Sequence, residues 1–271
     1  MMRCIPMILS AALACPLAAG AADFVAARPA PRVEYPQQRL IDITAYLKDT
    51  ADLSGVRLVF VGDSITDFFS MAKNPWIPGK VGGKAVWDES FGPAHPARLA
   101  LNLGISGDRT EWLLYRLQPK SAGGLGELDR PDLKPQFIIL MAGVNNTYAA
   151  EEPLIDSVFA GVRALVDAVH AAKPQSTVIL ESLLPSNEEW RNREAIMPVN
   201  QRLVQLAHSK PYNLFVDYLD LYPLFVDAAG KQRGELFMDN LHPDEAGYRI
   251  WRDALVALLD SKRPARPEGT P

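Results

Sequence analysis

Short apolar runs recur at 58–61, 98–103, 137–142, 177–181 and 214–217, and segments of helical spacing separate them. The runs are largely continuous rather than alternating. Strands of that kind are buried on both faces, as in parallel sheets layered between helices. The intervening segments read as helices over about 64–71, 111–117, 152–172, 195–207 and 244–259. In the third of these, Ile155, Phe159, Val162, Leu165, Val166 and Val169 share one face. An α/β class with a five-stranded parallel sheet is therefore expected. Ligands of such open sheets bind beyond the carboxyl ends of the strands.

That expectation directs attention to the segments just after the runs. The first run ends in Gly62-Asp-Ser64, the second in Gly104-Ile-Ser-Gly107-Asp108, and the third in Gly143-Val-Asn145-Asn146. Ser64 falls at a strand-to-helix junction, where free backbone N–H groups face outward. It can serve there as a nucleophile or simply as a helix cap. A serine nucleophile needs a base, and histidine is the natural one near neutral pH. Among the four histidines, His242 stands apart. It lies in Met238-Asp-Asn-Leu-His-Pro-Asp244, just before the last helix, with Asp239 three residues upstream. An Asp-x-x-His turn can place a carboxylate on one imidazole nitrogen and leave the other for Ser64. A surface loop capped by Asp244, or a metal site through Asp239, His242 and Asp244, are the alternatives, and no further ligand cluster supports the metal. The backbone N–H of Ser64, that of Gly107 and the side-chain amide of Asn145 are candidate oxyanion donors. An α/β-hydrolase elbow would read Gly-x-Ser-x-Gly, whereas Thr66 occupies the last place here.

Composition sets the remaining bounds. With 271 residues, 48% hydrophobic and 22% charged, the chain suits a globular domain, and a net charge of −4 argues against nucleic acid as a partner. Residues 1–22 read as a secretory signal peptide: Arg3, an apolar stretch from Ile5 to Ala19, and small residues before Ala22 or Asp23. It is too short to span a membrane, and no later run qualifies. The expected location is secreted or periplasmic. The only cysteines, Cys4 and Cys15, lie in that leader, and the poor lipobox before Cys15 disfavours a lipid anchor. Residues 23–39 read as a flexible lead-in, 40–262 as the folded α/β domain and 263–271 as a disordered tail. Ile41, Ile43, Tyr46 and Leu47 are expected to dock a short helix. The stretch 72–96, with four prolines and four glycines, reads as a long loop. Its aromatics Trp76, Trp87 and Phe91, together with Asp63 and Asn146, are the candidate pocket residues.

Taken together, Gly62-Asp-Ser64, Asn102-Leu-Gly-Ile-Ser-Gly107, Gly143-Val-Asn145 and Asp239-Asn-Leu-His242 resemble the four blocks of the SGNH, or GDSL-type, hydrolase family. The likeness extends from about Val56 to Leu259. It is strongest toward the catalytic subunits of platelet-activating-factor acetylhydrolase and their bacterial relatives. The resemblance implies a three-layer, flavodoxin-like α/β/α sandwich with strand order 2-1-3-4-5. It also implies Ser64 as nucleophile, His242 as base, Asp239 as orienting acid, and Gly107 and Asn145 in the oxyanion hole. Asn146 stands where many members carry Asp.

The expected activity is therefore an exported serine esterase for short, acetyl-type esters, O-acetylated glycans among them, needing no cofactor and no metal. A homodimer is compatible with the likeness. A lysophospholipase or thioesterase would need an apolar trough, which Trp76, Trp87 and Phe91 are placed to supply. A silent glycan-binding member of the fold is the remaining alternative. A histidine base predicts an acid limb in the rate profile near pH ~6–7.

Overall fold

The computed structural model describes residues 24–33, 37–74, 77–149 and 151–262. The expected signal peptide, Cys4, Cys15, Trp76 and the expected C-terminal tail lie outside the described residues. Five strands form one sheet: β1 (Leu58–Gly62), β2 (Ala100–Asn102), β3 (Phe137–Met141), β4 (Thr177–Glu181) and β5 (Val216–Leu219). Every pairing is parallel and the order is β2-β1-β3-β4-β5. β1 lies inside the sheet, with Phe60 opposite Asn102 on one side and Ile139 on the other. Val59, Phe60, Ile138, Leu140 and Val178 are fully buried, which is why these runs carry no polar alternation.

Among the described residues, eight α-helical segments accompany the sheet: α1 (Gln37–Asp49), α2 (Ser64–Phe69), α3 (Lys84–Phe91), α4 (Thr110–Leu117), α5 (Leu154–Ala172), α6 (Glu189–Arg191), α7 (Met197–His208) and α8 (Glu245–Ser261). α4, α5 and α7 pack in one group, and α2, α3 and α8 in another, so the architecture is a three-layer α/β/α sandwich. α6 runs through a π-helical turn, Asn192–Ile196, into α7. Pro198 accounts for the irregularity, because it has no N–H to give to the preceding turn.

The structure corrects three expectations. The stretch 72–96 is not all loop. It contains α3, and Trp87 (7% exposed) and Phe91 (0%) pack around Phe60 at 4.9 and 5.3 Å between ring centroids. These two aromatics belong to the core and are not pocket residues. Residues 24–33 are not a free lead-in, since Ala26 is buried and the segment is tied down at both ends. Glu151 accepts from the N–H groups of Val25 (2.6 Å) and Ala26 (3.1 Å), Thr110 Oγ1 donates to the Ala26 carbonyl (2.7 Å), and Ala30 N donates to the Glu111 carbonyl (3.0 Å). In α1 only Ile43 is deeply buried, while Ile41 and Tyr46 face solvent.

Candidate active site

The carboxyl ends of β1, β2 and β3 carry the site. β1 ends at Gly62, where a Cβ would sit 2.1 Å from Thr66 Oγ1 and 2.5 Å from the Met141 carbonyl. Only glycine allows the chain to turn that tightly from strand into α2. Asp63 caps α2 by accepting from Ile65 N at 3.0 Å. Capping is therefore done by Asp63, and Ser64, the first helical residue, is released from that duty. Its N–H belongs to the first turn, which has no intrahelical acceptor.

The loop before α8 brings His242 to Ser64 from 178 residues away in sequence. Leu241 N and His242 N both donate to Asp239 Oδ1, at 2.8 and 2.7 Å, folding Asp239-Asn-Leu-His242 into a tight turn. The same carboxylate places Oδ2 2.8 Å from His242 Nδ1, and His242 Nε2 lies 2.8 Å from Ser64 Oγ. The Phe68 ring packs 4.9 Å from the imidazole and limits its rotation. Partial burial pushes the Asp239 carboxyl up, but the hydrogen bonds from the His242 side chain and from the turn outweigh it and hold the group down at about 2. The carboxylate is thus ionised at any working pH. Asp244 accepts from Gly247 N at 3.0 Å as the cap of α8.

The β2 loop contributes Gly107, at φ +81°, a left-handed conformation suited to glycine. Asn145 begins a single 3₁₀ turn, Asn145–Tyr148, after β3, and its Nδ2 donates to the carbonyl of Asp108 at 2.9 Å. That bond joins the second and third blocks and uses one of the two amide hydrogens, leaving the other for an acceptor. Asn146 and Asp63 are positioned differently from the expectation that they line a pocket. Asn146 is buried, accepting from Thr110 N (3.0 Å) and donating to Glu111 (2.9 Å). Asp63 is fully buried beside Ser64, and burial pushes its carboxyl up to about 7 despite the Ile65 hydrogen bond. Both hold loops. Trp76 lies outside the described residues.

A second tier of charged groups escaped the sequence reading. Asp108 is buried and bonded to two arginines: Arg116 at 2.6 Å, itself fully buried and paired with Glu127, and Arg32 at 3.0 Å. Arg116 also donates to the Leu103 carbonyl. Arg32 Nη1 donates to the Ser106 carbonyl at 2.8 Å, and its Nη2 lies 2.7 Å from where a Cβ on Gly107 would stand. Asp67 is ion-paired with Arg39 at 2.9 Å and accepts from Ser106 N and Oγ. The signals were an acid directly after Gly107 and an arginine among the apolar positions of α4. Neither reveals its partner without the fold. His170, by contrast, stacks on Phe215 ahead of β5, at the opposite end of the sheet.

A parallel α/β sandwich whose strand ends gather a serine, a histidine and a carboxylate in hydrogen-bonded series belongs among the hydrolases. The GDSL-like lipase/acylhydrolase family model matches residues 60–250, and the chain belongs to that family, as a carboxylic ester hydrolase. It is 30% identical over 206 residues to human platelet-activating factor acetylhydrolase IB subunit alpha1, covering 74% of each chain. The structure is similar to a GDSL-like lipase from Bacteroides thetaiotaomicron, with TM-score 0.57, 20% identity, and 82% and 98% of the two chains covered. It is also similar to an acetyl xylan esterase, with TM-score 0.52, 18% identity, and coverage of 75% and 100%. At these identities the structural likeness speaks to the fold.

Proposed function

We propose that the chain is an exported serine esterase that hydrolyses short, acetyl-type carboxylic esters, O-acetylated carbohydrates among them. The observation that carries this reading is the unbroken series Ser64 Oγ–His242 Nε2 at 2.8 Å and His242 Nδ1–Asp239 Oδ2 at 2.8 Å. Ser64 Oγ attacks the ester carbonyl carbon while His242 Nε2 takes its proton. Asp239 fixes the tautomer and stabilises the imidazolium. The N–H groups of Ser64 and Gly107 and the amide of Asn145 receive the oxyanion. His242 then gives its proton to the leaving alcohol, and an acyl-Ser64 intermediate remains. Water, deprotonated by His242, attacks that acyl group, releasing the carboxylic acid and free serine.

Acetyl groups are favoured for two reasons. Of the three aromatics expected to supply a long acyl trough, Trp87 and Phe91 are in the core, and Trp76 lies outside the described residues. The human relative is by name an acetylhydrolase, and one structural neighbour is an acetyl xylan esterase. Export rests on the signal-like residues 1–22; no helix among the described residues is long and apolar enough to cross a membrane.

The test is turnover of p-nitrophenyl acetate, butyrate and octanoate by the wild type and Ser64→Ala. The expected result is a rate that falls with chain length and drops about 10⁴-fold or more in the variant. Equal rates in both proteins would reduce Ser64 to a helix residue. A rise toward octanoate would move the reading to lipid esters.

A further inference from the structure

Two large aromatic rings stand half in solvent on the loops that border the Ser64–His242–Asp239 series. Tyr148 is 51% exposed and Trp190 is 48% exposed. Tyr148 closes the 3₁₀ turn that Asn145 opens, so it lies three residues from a candidate oxyanion donor. Trp190, on α6, follows a loop that is stitched to the Asp239–His242 turn: Asn187 N donates to the Asn240 carbonyl at 3.0 Å, and Asn187 Nδ2 to Asn240 Oδ1 at 2.7 Å. The charges of Glu188 and Asp239 both reach the Tyr148 phenol, which agrees with that placement.

The rings are held rather than loose. The Arg191 guanidinium lies 3.6 Å from the Tyr148 ring centroid and 4.6 Å from that of Trp190. Arg191 is itself buried, donating through Nη1 to the Thr147 carbonyl at 2.8 Å and through Nε to Glu188 at 2.6 Å. One cation therefore braces two aromatic residues from different loops. The loop before Trp190 and the Asp239–His242 turn also carry the exposed amides of Asn187 and Asn240, which bond to each other. Aromatic faces and amides together match a flat, neutral polyol: ring C–H groups stack on the π-face, while hydroxyls find donors and acceptors at the edge. A quaternary ammonium head group also seeks aromatic faces, but the Arg191 guanidinium, paired with Glu188, already lies against both rings. A long acyl chain needs a covered trough, and these rings are open.

We infer that Tyr148 and Trp190, braced by Arg191, form a sugar-binding platform beside the catalytic series, where a pyranose ring of an acylated glycan stacks while its ester reaches Ser64. This deepens the esterase reading of the same site and rests on it. The experiment has two arms. In the first, the wild type, Tyr148→Ala, Trp190→Ala and Tyr148→Phe are compared on p-nitrophenyl acetate and on O-acetylated xylo-oligosaccharides. The expected result is a KM for the oligosaccharide raised tenfold or more by either alanine. The loss on the oligosaccharide exceeds the loss on p-nitrophenyl acetate by at least the same factor, and Tyr148→Phe retains the wild-type ratio. Equal losses on both substrates would overturn the platform. In the second arm, Ser64→Ala is titrated with unesterified xylohexaose, cellohexaose and chitohexaose, reading indole fluorescence and heat. Binding of one of them that Trp190→Ala abolishes supports the platform. Binding of none overturns it whatever the ester kinetics. Absence of all ester hydrolysis with intact glycan binding would instead fault the esterase reading and leave the platform standing.

Discussion

Asn145 shows how much at this site depends on single hydrogen bonds. One amide hydrogen goes to the Asp108 carbonyl at 2.9 Å, so the other is held in a fixed direction relative to the Gly107 loop. Losing one oxyanion donor typically costs about 10²–10³ in rate. Asn145→Ala is therefore expected to lower kcat on p-nitrophenyl acetate by that factor with little change in KM, read by steady-state kinetics. A fall in KM affinity with kcat preserved would place Asn145 in ground-state binding instead. The same scale shows where residue-by-residue reading ran out. As candidates, Ser64, His242, Asp239, Gly107 and Asn145 could be picked out because each sits at a strand end or beside the last helix with a chemically fitting neighbour. Trp87 and Phe91 were not. An aromatic in a Pro- and Gly-rich stretch gives no sign of which way it faces, and here both turned onto Phe60.

At the scale of elements, the segment 24–33 acts as a strap across the β2 loop. It bonds to Glu151 and Thr110, and Arg32 reaches the Ser106 carbonyl and Asp108 on either side of Gly107. Preorganised N–H donors stabilise an oxyanion only if their loop cannot relax away. Arg32→Ala is expected to reduce kcat about tenfold on p-nitrophenyl acetate while KM holds. Arg32→Lys should recover part of the loss, and added guanidinium at millimolar concentration should recover more. Unchanged kcat in Arg32→Ala would show that Arg116 alone holds Asp108. Pro- and Ala-rich composition suggested a free lead-in, because the strap's stability comes from acceptors and donors supplied by α4 and Glu151 and not from its own residues.

For the molecule as a whole, the joint between β4 and α8 is expected to weaken as pH rises. Glu181 ends β4 fully buried, Trp251 Nε1 of α8 donates to its Oε1 at 2.6 Å, and burial pushes the carboxyl up to about 8. In the unfolded chain a glutamate titrates near ~4.3. Between those values the native state holds a proton that the unfolded state has lost, so stability falls as pH rises through that window. Glu181→Gln mimics the protonated form. It is expected to flatten the decline of the thermal midpoint between about pH 4 and 8, with Asp63, pushed up to about 7, leaving a residual slope of the same sign. A midpoint that declines equally in both proteins would show that Glu181 does not carry the effect.

Apolar periodicity by itself determined the layered parallel sheet, since a strand buried on both faces must be continuous in hydrophobicity and leave its carboxyl end as the place for chemistry. The local turns that free Ser64 and orient His242 were also written in short range: Gly62-Asp-Ser64 and Asp239-Asn-Leu-His242 close their own hydrogen bonds. Only tertiary structure decided the rest. The 2.8 Å contact across 178 residues, the Arg32–Asp108–Arg116 bracing and the Tyr148–Arg191–Trp190 cluster all join groups from separate parts of the chain. Charge pairing and ring stacking act over a few ångströms of space, and a one-dimensional pattern does not record which distant residues will be brought that close.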